Sequence, residues 1–167
     1  MNIDPNNIGY WLFYTQRCVA YAFADLLQKV CDEQDKAYVV TPSQWGALAL
    51  LANSDGLTVG AISQQRGIDA ATVTGIIKRL EQSSLVERRH DREDRRVVKV
   101  YLTSEGASIT AILNPRVAMF NDEMLRGFVG EERETLLKSL QRIIVNLTDA
   151  AGETGDRFKR LPVQLDF

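Results

Sequence analysis

The chain has 167 residues, of which 45% are hydrophobic and 25% charged, with a formal net charge of −2. These proportions belong to a globular protein and exclude disordered and collagen-like chains, and the length suits one compact domain or two small lobes. No run of about 18 uncharged apolar residues occurs, and residues 1–7 have neither a basic start nor an apolar stretch, so no membrane span and no secretory leader is expected and the expected location is cytoplasmic.

Residues 8–31 carry apolar side chains at helical spacing: Ile8, Leu12, Val19, Phe23, Leu26, Leu27 and Val30. A second stripe runs through Trp11, Tyr14, Cys18 and Tyr21. Two stripes predict a helix buried on most sides, which a chain of this size covers most readily with a partner chain. Residues 41–53 read as a second helix, with Thr41 at the N-cap, Pro42 in the first helical position and Trp45, Leu48 and Leu51 inside. After the turn at 53–56, Thr58 is placed to cap a short helix, 59–66, that stops at Gly67. Asp69 is placed to cap another, 70–82, whose buried face is Val73, Ile76, Ile77 and Leu80. Ala71, Thr72, Thr74, Gly75, Lys78 and Arg79 point elsewhere. Two short helices joined by a glycine-containing turn form the helix-turn-helix pattern.

Two β-type runs follow, 85–89 and 97–102, around a charged tip at 90–96. A hairpin in this place is a wing. Thr103 is expected to cap a long helix to about residue 128, kinked near 111–115 by Pro115. Gly130 precedes a last helix, 131–150, with Glu131, Glu132 and Glu134 at its start. Its core stripe is Leu136, Leu137, Leu140, Ile143, Ile144 and Leu147. In the tail, Phe158, Leu161, Val163, Leu165 and Phe167 suggest docking. The expected class is mainly α with a small β hairpin (α+β), a winged helix-turn-helix.

Charge follows this organisation. Residues 59–102 hold nine basic and six acidic residues (+3), leaving eleven basic and sixteen acidic residues (−5) elsewhere. That is one cationic face on an acidic body. Two cysteines, Cys18 and Cys31, and one histidine, His90, cannot assemble a four-ligand zinc site. His90 lies between Arg89 and Asp91, a poor setting for a buried general base. No Walker or Rossmann glycine loop is present. No metal, no cofactor and no enzymatic activity are expected.

The segments LTV at 57–59, IDAATVT at 68–74, LEQSSLVER at 80–88, DREDRR at 91–96 and LTSEG at 102–106 resemble the MarR (multiple antibiotic resistance regulator) family, and the order of elements fits across residues 8–150. The resemblance implies a transcriptional regulator, usually a repressor, that works as a homodimer with first and last helices interleaved. It also implies a small-molecule pocket between the dimer region and the DNA-binding lobe. On this reading residues 41–102 form the winged helix-turn-helix, and 1–40 with 103–167 the dimerisation region. Ile8, Leu12, Val19, Leu136, Leu140, Ile143 and Leu147 are the candidate dimer residues. Double-stranded DNA is the expected partner, read as a pseudo-palindrome with half-sites ~34–36 Å apart.

Residue chemistry agrees with that expectation. A helix with short polar side chains and a cation fits a major groove about 12 Å wide. Thr72 and Thr74 are suited to bases or phosphates, and Lys78 to a phosphate or a guanine edge. Gly75 departs from the larger polar or basic residue common there and shifts affinity toward phosphates. At the wing tip Arg92 is long enough for a minor groove and Arg95 is assigned to phosphate. Asp94 is expected to orient Arg95 or Arg96 by a bidentate ion pair, with Arg96 mainly structural. Ser63, Gln64 and Gln65 are weaker phosphate candidates.

Between residues 5 and 24 the sole charge is Arg17, among Tyr10, Trp11, Phe13, Tyr14 and Tyr21, with Trp45 expected near. An isolated cation amid aromatic rings suits a flat anion, an aromatic carboxylate or its CoA thioester. Tyr10, Trp11, Tyr14, Arg17 and Trp45 are the candidate effector residues, with a dimer salt bridge or plain aromatic packing as the alternative. Two further readings stay open: redox sensing through Cys18, as in family members that sense peroxides, and nonspecific architectural DNA binding. Cys31 lies thirteen residues beyond Cys18, ~20 Å along a helix, so the two cannot pair within one chain.

Overall fold

A computed structural model describes residues 6–150. In chain order it contains α1 (Ile8–Glu33), α2 (Pro42–Asn53), α3 (Val59–Arg66), α4 (Ala70–Gln82), β1 (Val86–His90), β2 (Val98–Leu102), α5 (Ser104–Met124) and α6 (Gly130–Ala150). Side-chain caps set the helix starts. Asn7 Oδ1 accepts from the Tyr10 amide at 2.9 Å, Thr58 Oγ1 from Ala61 at 3.1 Å, Asp69 Oδ1 from Thr72 at 2.8 Å and Thr103 Oγ1 from Gly106 at 3.0 Å. Thr41 and Gln44 form a reciprocal capping box at α2. Each such cap contributes about 1 kcal/mol.

The core sits in the lobe of α2, α3, α4 and the hairpin, where Leu48, Leu51, Ile62, Val73, Ile76, Ile77, Leu80 and Val100 are fully enclosed. Leu27, Val30 and Cys31 of α1 and Ile109 and Leu113 of α5 complete it. The strands pair antiparallel, Val86 opposite Leu102 through His90 opposite Val98. Residues 55–57 lie along the far edge of β2. Val100 N donates to Leu57 O at 2.8 Å, Gly56 N to Val100 O at 3.1 Å, and Leu102 N to Asp55 Oδ1 at 3.0 Å. Gly56 has φ +77° and faces the Tyr101 ring, so this edge needs a residue without a side chain.

The start of α5 is seated directly on the end of α4. Thr103 donates from its amide to Leu85 O at 3.1 Å and from its hydroxyl to Ser84 O at 2.6 Å. Gly106 packs so close to the Leu85 carbonyl that a Cβ there would overlap it. Two ties join the end of α1 and the loop after it to α5. Arg116 meets Glu33 at 3.0 Å, while Glu105 Oε1 accepts from Tyr38 Oη at 2.5 Å and pairs with Lys36 Nζ at 2.8 Å. Burial first, then that Glu105 hydrogen bond, raises the Tyr38 pKa; Lys36 first, then Tyr38, lowers that of Glu105.

Four expectations are corrected. The first helix is not buried on most sides of the single chain, since Ile8, Trp11, Phe13, Tyr14 and Tyr21 are all exposed and only its last third enters the core. The stripe of the last helix is likewise outside the core: Leu136, Leu137, Leu140 and Leu147 are exposed. The helix capped by Thr103 ends at Met124, not near 128. Gly127, at φ +89°, turns the chain there, and Arg133 of α6 donates to Leu125 O and Phe128 O, satisfying carbonyls a longer helix would have used. The strands sit about one residue later at their starts than expected, because Leu85 belongs to the buried junction with α5. The helix runs through Pro115, which is exposed along with Ala111, so the carbonyl freed by the missing N–H lies at the exposed side of α5. The apolar residues of the tail lie outside the described residues. Among the described residues no helix is long and apolar enough to cross a membrane.

Candidate nucleic-acid interface

The turn between α3 and α4 is held from several sides. Gly67 adopts φ +62°, Ile68 N donates to Ser63 O at 3.2 Å, and Ser63 Oγ donates to Ile68 O at 2.6 Å. Arg66, at the end of α3, reaches back to α2 and donates to Ser43 O at 2.5 Å; its burial lowers its pKa. Ser63 is therefore half-buried with its hydroxyl proton engaged in the turn, while Gln64 and Gln65 are exposed.

The buried stripe Val73, Ile76, Ile77 and Leu80 fixes the rotation of α4. Thr72, Thr74 and Lys78 are consequently exposed on its outer side. Thr72 Oγ1 donates to Asp69 Oδ2 at 2.6 Å and Thr74 Oγ1 to Ala70 O at 2.8 Å. Both hydroxyl protons are thus engaged within the protein, which leaves each oxygen as an acceptor. The Thr72 side-chain and amide bonds are the main cause of a lowered Asp69 pKa. Among the described residues Lys78 makes no ion pair, which leaves its charge available.

The wing tip is built around two aspartates. Asp91 Oδ1 accepts from the amides of Glu93 at 2.9 Å and Asp94 at 3.1 Å, and its Oδ2 pairs with Lys99 Nζ at 2.5 Å. Lys99 first, then those two amides, holds the Asp91 carboxyl at about 2, and Asp91 in turn raises the Lys99 pKa. Asp94 Oδ1 accepts from the Arg96 amide at 2.9 Å and its carbonyl from Val97 N at 2.9 Å. His90 Nδ1 meets the Arg95 carbonyl at 2.8 Å. The bidentate pair expected of Asp94 is absent among the described residues, because its carboxylate is turned inward to cap the loop backbone. Arg92 and Arg95 stand exposed on this braced loop. Sequence reasoning missed the Asp91–Lys99 pair. The spacing of the two residues across a hairpin, one at each end of the tip, was the available signal.

Lower on the hairpin, Arg89 stacks 5.0 Å from the Tyr101 ring centroid and pairs with Glu87, while Arg88 Nε lies 3.5 Å from Glu81 Oε2 of α4. Arg88 and Arg89 therefore occupy opposite faces of β1.

The candidate effector residues divide. Tyr10, Trp11 and Tyr14 form one ring cluster: Tyr10 stacks on Tyr14 at 5.9 Å, and Trp11 meets them edge-on at 5.4 and 6.3 Å. Arg17 is exposed one turn further on. Trp45 is 9% exposed and belongs to the lobe core instead, because α2 turns it inward with Leu48. Cys18 is exposed; Cys31 is buried, and burial raises its pKa. Among the described residues no group of three or more His, Cys, Asp or Glu is placed to hold a metal ion.

The MarR family model matches residues 40–98, the segment from the end of the α1–α2 loop through the wing. The HTH-type transcriptional regulator YsmB of Bacillus subtilis is 32% identical over 106 residues, 64% of this chain and 73% of that protein. A probable transcriptional regulator from Pseudomonas aeruginosa superposes with a TM-score of 0.69 at 27% identity, covering 83% of this chain and 97% of the other. Bordetella bronchiseptica BpsR, whose DNA binding is regulated by 6-hydroxynicotinic acid, has the same fold, with a TM-score of 0.61 at 23% identity over 80% of this chain and 98% of its own.

Proposed function

The chain belongs to the MarR family of DNA-binding transcriptional regulators, and on that premise we propose that it is a ligand-responsive repressor that binds a pseudo-palindromic operator as a homodimer. The observation that carries the dimer is the pair of uncovered apolar faces, exposed Ile8 and Trp11 with half-buried Leu12 and Val19 on α1 and Leu136, Leu140 and Leu147 on α6. Contiguous apolar faces of this kind mark an interface, and two-fold pairing supplies two DNA-binding lobes at fixed separation. The two units of the reading are residues 41–102 for DNA and 1–40 with 103–167 for the dimer.

In each lobe α4 enters the major groove with Thr72, Thr74 and Lys78, Gln64 meets the backbone, Arg92 enters the minor groove and Arg95 meets phosphate. Ser63, with its hydroxyl proton engaged, contributes as an acceptor beside them. A specific regulator exceeds its own nonspecific binding by about 10³-fold or more, which separates it from an architectural DNA binder.

The effector site is Arg17 with the Tyr10, Trp11 and Tyr14 rings, enclosed when the second chain covers α1, and Trp45 fixing α2 beneath. Its occupant is a small aromatic carboxylate or its CoA thioester, a reading supported by the effector of BpsR. A ligand that favours one separation of the lobes moves the population away from the DNA-competent one. Arg17→Ala should bind operator DNA as the parent does yet lose its release by 6-hydroxynicotinic acid or benzoate in a gel shift; an Arg17→Ala protein still released by them overturns the site. The exposed Cys18 carries the second reading, control by peroxide. A Cys18→Ser protein that keeps its peroxide response removes it.

A further inference from the structure

A groove runs between the start of α3, the outer side of α4 and the hairpin, lined by Val59, Gly60, Thr74, Arg88, Val97 and Val98, with Thr58 at its end. Its lining is apolar apart from the threonines and one charge, Arg88. On the function proposed above, α4 lies in the major groove and the wing tip in the neighbouring minor groove. The strand that separates those two grooves then has to cross the surface between α4 and the wing. That surface is this groove, with Thr74 on one flank and Val97 and Val98 on the other.

We propose that the groove seats one sugar-phosphate backbone of the duplex and that Arg88 is its phosphate contact, a role resting on that reading of α4 and the wing. Arg88 shares the face of β1 with buried Val86 and lies opposite buried Val100, so the strand turns it toward α4 rather than to the outer face where Arg89 stacks on Tyr101. Glu81 lies at its Nε edge, 3.5 Å away, and holds the guanidinium across the groove. The terminal nitrogens remain as a fork for phosphate oxygens. The valines accept deoxyribose carbons. No acid lines the groove to repel the strand. Gly60 is exposed, and a Cβ there meets only Thr58 Oγ1 at 3.8 Å, so the protein's own packing leaves that side of the groove open.

A phosphate contact has a signature that base reading and structural pairing lack: it steepens the salt dependence and is blind to sequence. The test uses full-length dimeric protein and two labelled duplexes, one recovered by selection with the parent protein and one of random sequence, titrated by anisotropy between about 50 and 200 mM salt. Arg88→Gln should lower the slope of log K against log salt by about 0.9 per protomer, about 1.8 per dimer, and weaken both duplexes by the same factor. Arg88→Lys should keep the slope. Gly60→Glu, an exposed first-turn position that accepts an acid, should weaken both duplexes by placing a carboxylate in the groove. Parental slopes for Arg88→Gln, or a loss confined to the selected duplex, overturn the assignment, as does parental affinity for Gly60→Glu. A parent that binds neither duplex overturns the regulator reading instead.

Discussion

Asp91 does more for the wing than its charge suggests. Its side chain is mostly covered, and its two oxygens serve two backbone amides and the Lys99 ammonium. This arrangement converts the charged tip at 90–96 into a defined loop, so that the backbone carrying Arg92 and Arg95 is fixed in advance. The carboxyl is held at about 2, below the ordinary aspartate value of about 3.9. A depressed acid stabilises the folded form fully above its unfolded pKa and loses that contribution as pH falls through the folded one. The wing should therefore stay ordered down to pH near 4 and loosen between about 4 and 2. Carboxyl and amide NMR should show Asp91 and the amides of Glu93 and Asp94 titrating together in that range; in Asp91→Asn the joint transition should vanish. An Asp91 titrating at the ordinary value would refute the bracing role.

Among the elements, α5 connects the α4–β1 junction to α1 and the loop after it. Its first turn is fixed to the α4–β1 junction by Thr103 and Gly106 and to the α1–α2 loop by Glu105. Its middle is tied to α1 by Arg116. Glycine in the first turn of a helix is unfavourable by propensity, and Gly→Ala at a spacious site would stabilise by up to about 1 kcal/mol. At Gly106 the Leu85 carbonyl occupies the place of the Cβ, so overpacking wins and Gly106→Ala should destabilise by about 3 kcal/mol. Urea denaturation should show the lower midpoint at unchanged m-value; a midpoint at or above the parent's would show that the contact between α5 and the α4–β1 junction is dispensable.

At the scale of the whole molecule, the enclosed core joins α2, α3, α4 and the hairpin to the end of α1 and the first half of α5, while apolar side chains of early α1 and of α6 are exposed. A single chain leaves the proposed dimer region without a covering partner. Leu140→Glu places a charge in the centre of the α6 stripe, which a monomer tolerates at its surface and a buried interface does not. Light scattering should report a monomer with the lobe's circular dichroism retained, and DNA affinity should fall steeply because two linked half-sites become one. A dimeric Leu140→Glu protein would place the interface elsewhere. The local grammar of this fold is legible in the amino-acid sequence by itself: Thr41, Thr58, Asp69 and Thr103 cap the helices their positions predict, and Gly67 ends α3, because caps and turns depend on residues a few positions apart. The winged helix-turn-helix follows from their order. What the linear pattern does not decide is which apolar stripe meets which surface. Trp45 and Trp11 have the same chemistry, yet one is enclosed and the other exposed. Asp94 has arginines beside it in sequence but caps a backbone amide in space. Periodicity reports that a face is apolar, whereas burial and pairing depend on contacts between segments far apart in the chain, and those exist only once the lobe has closed.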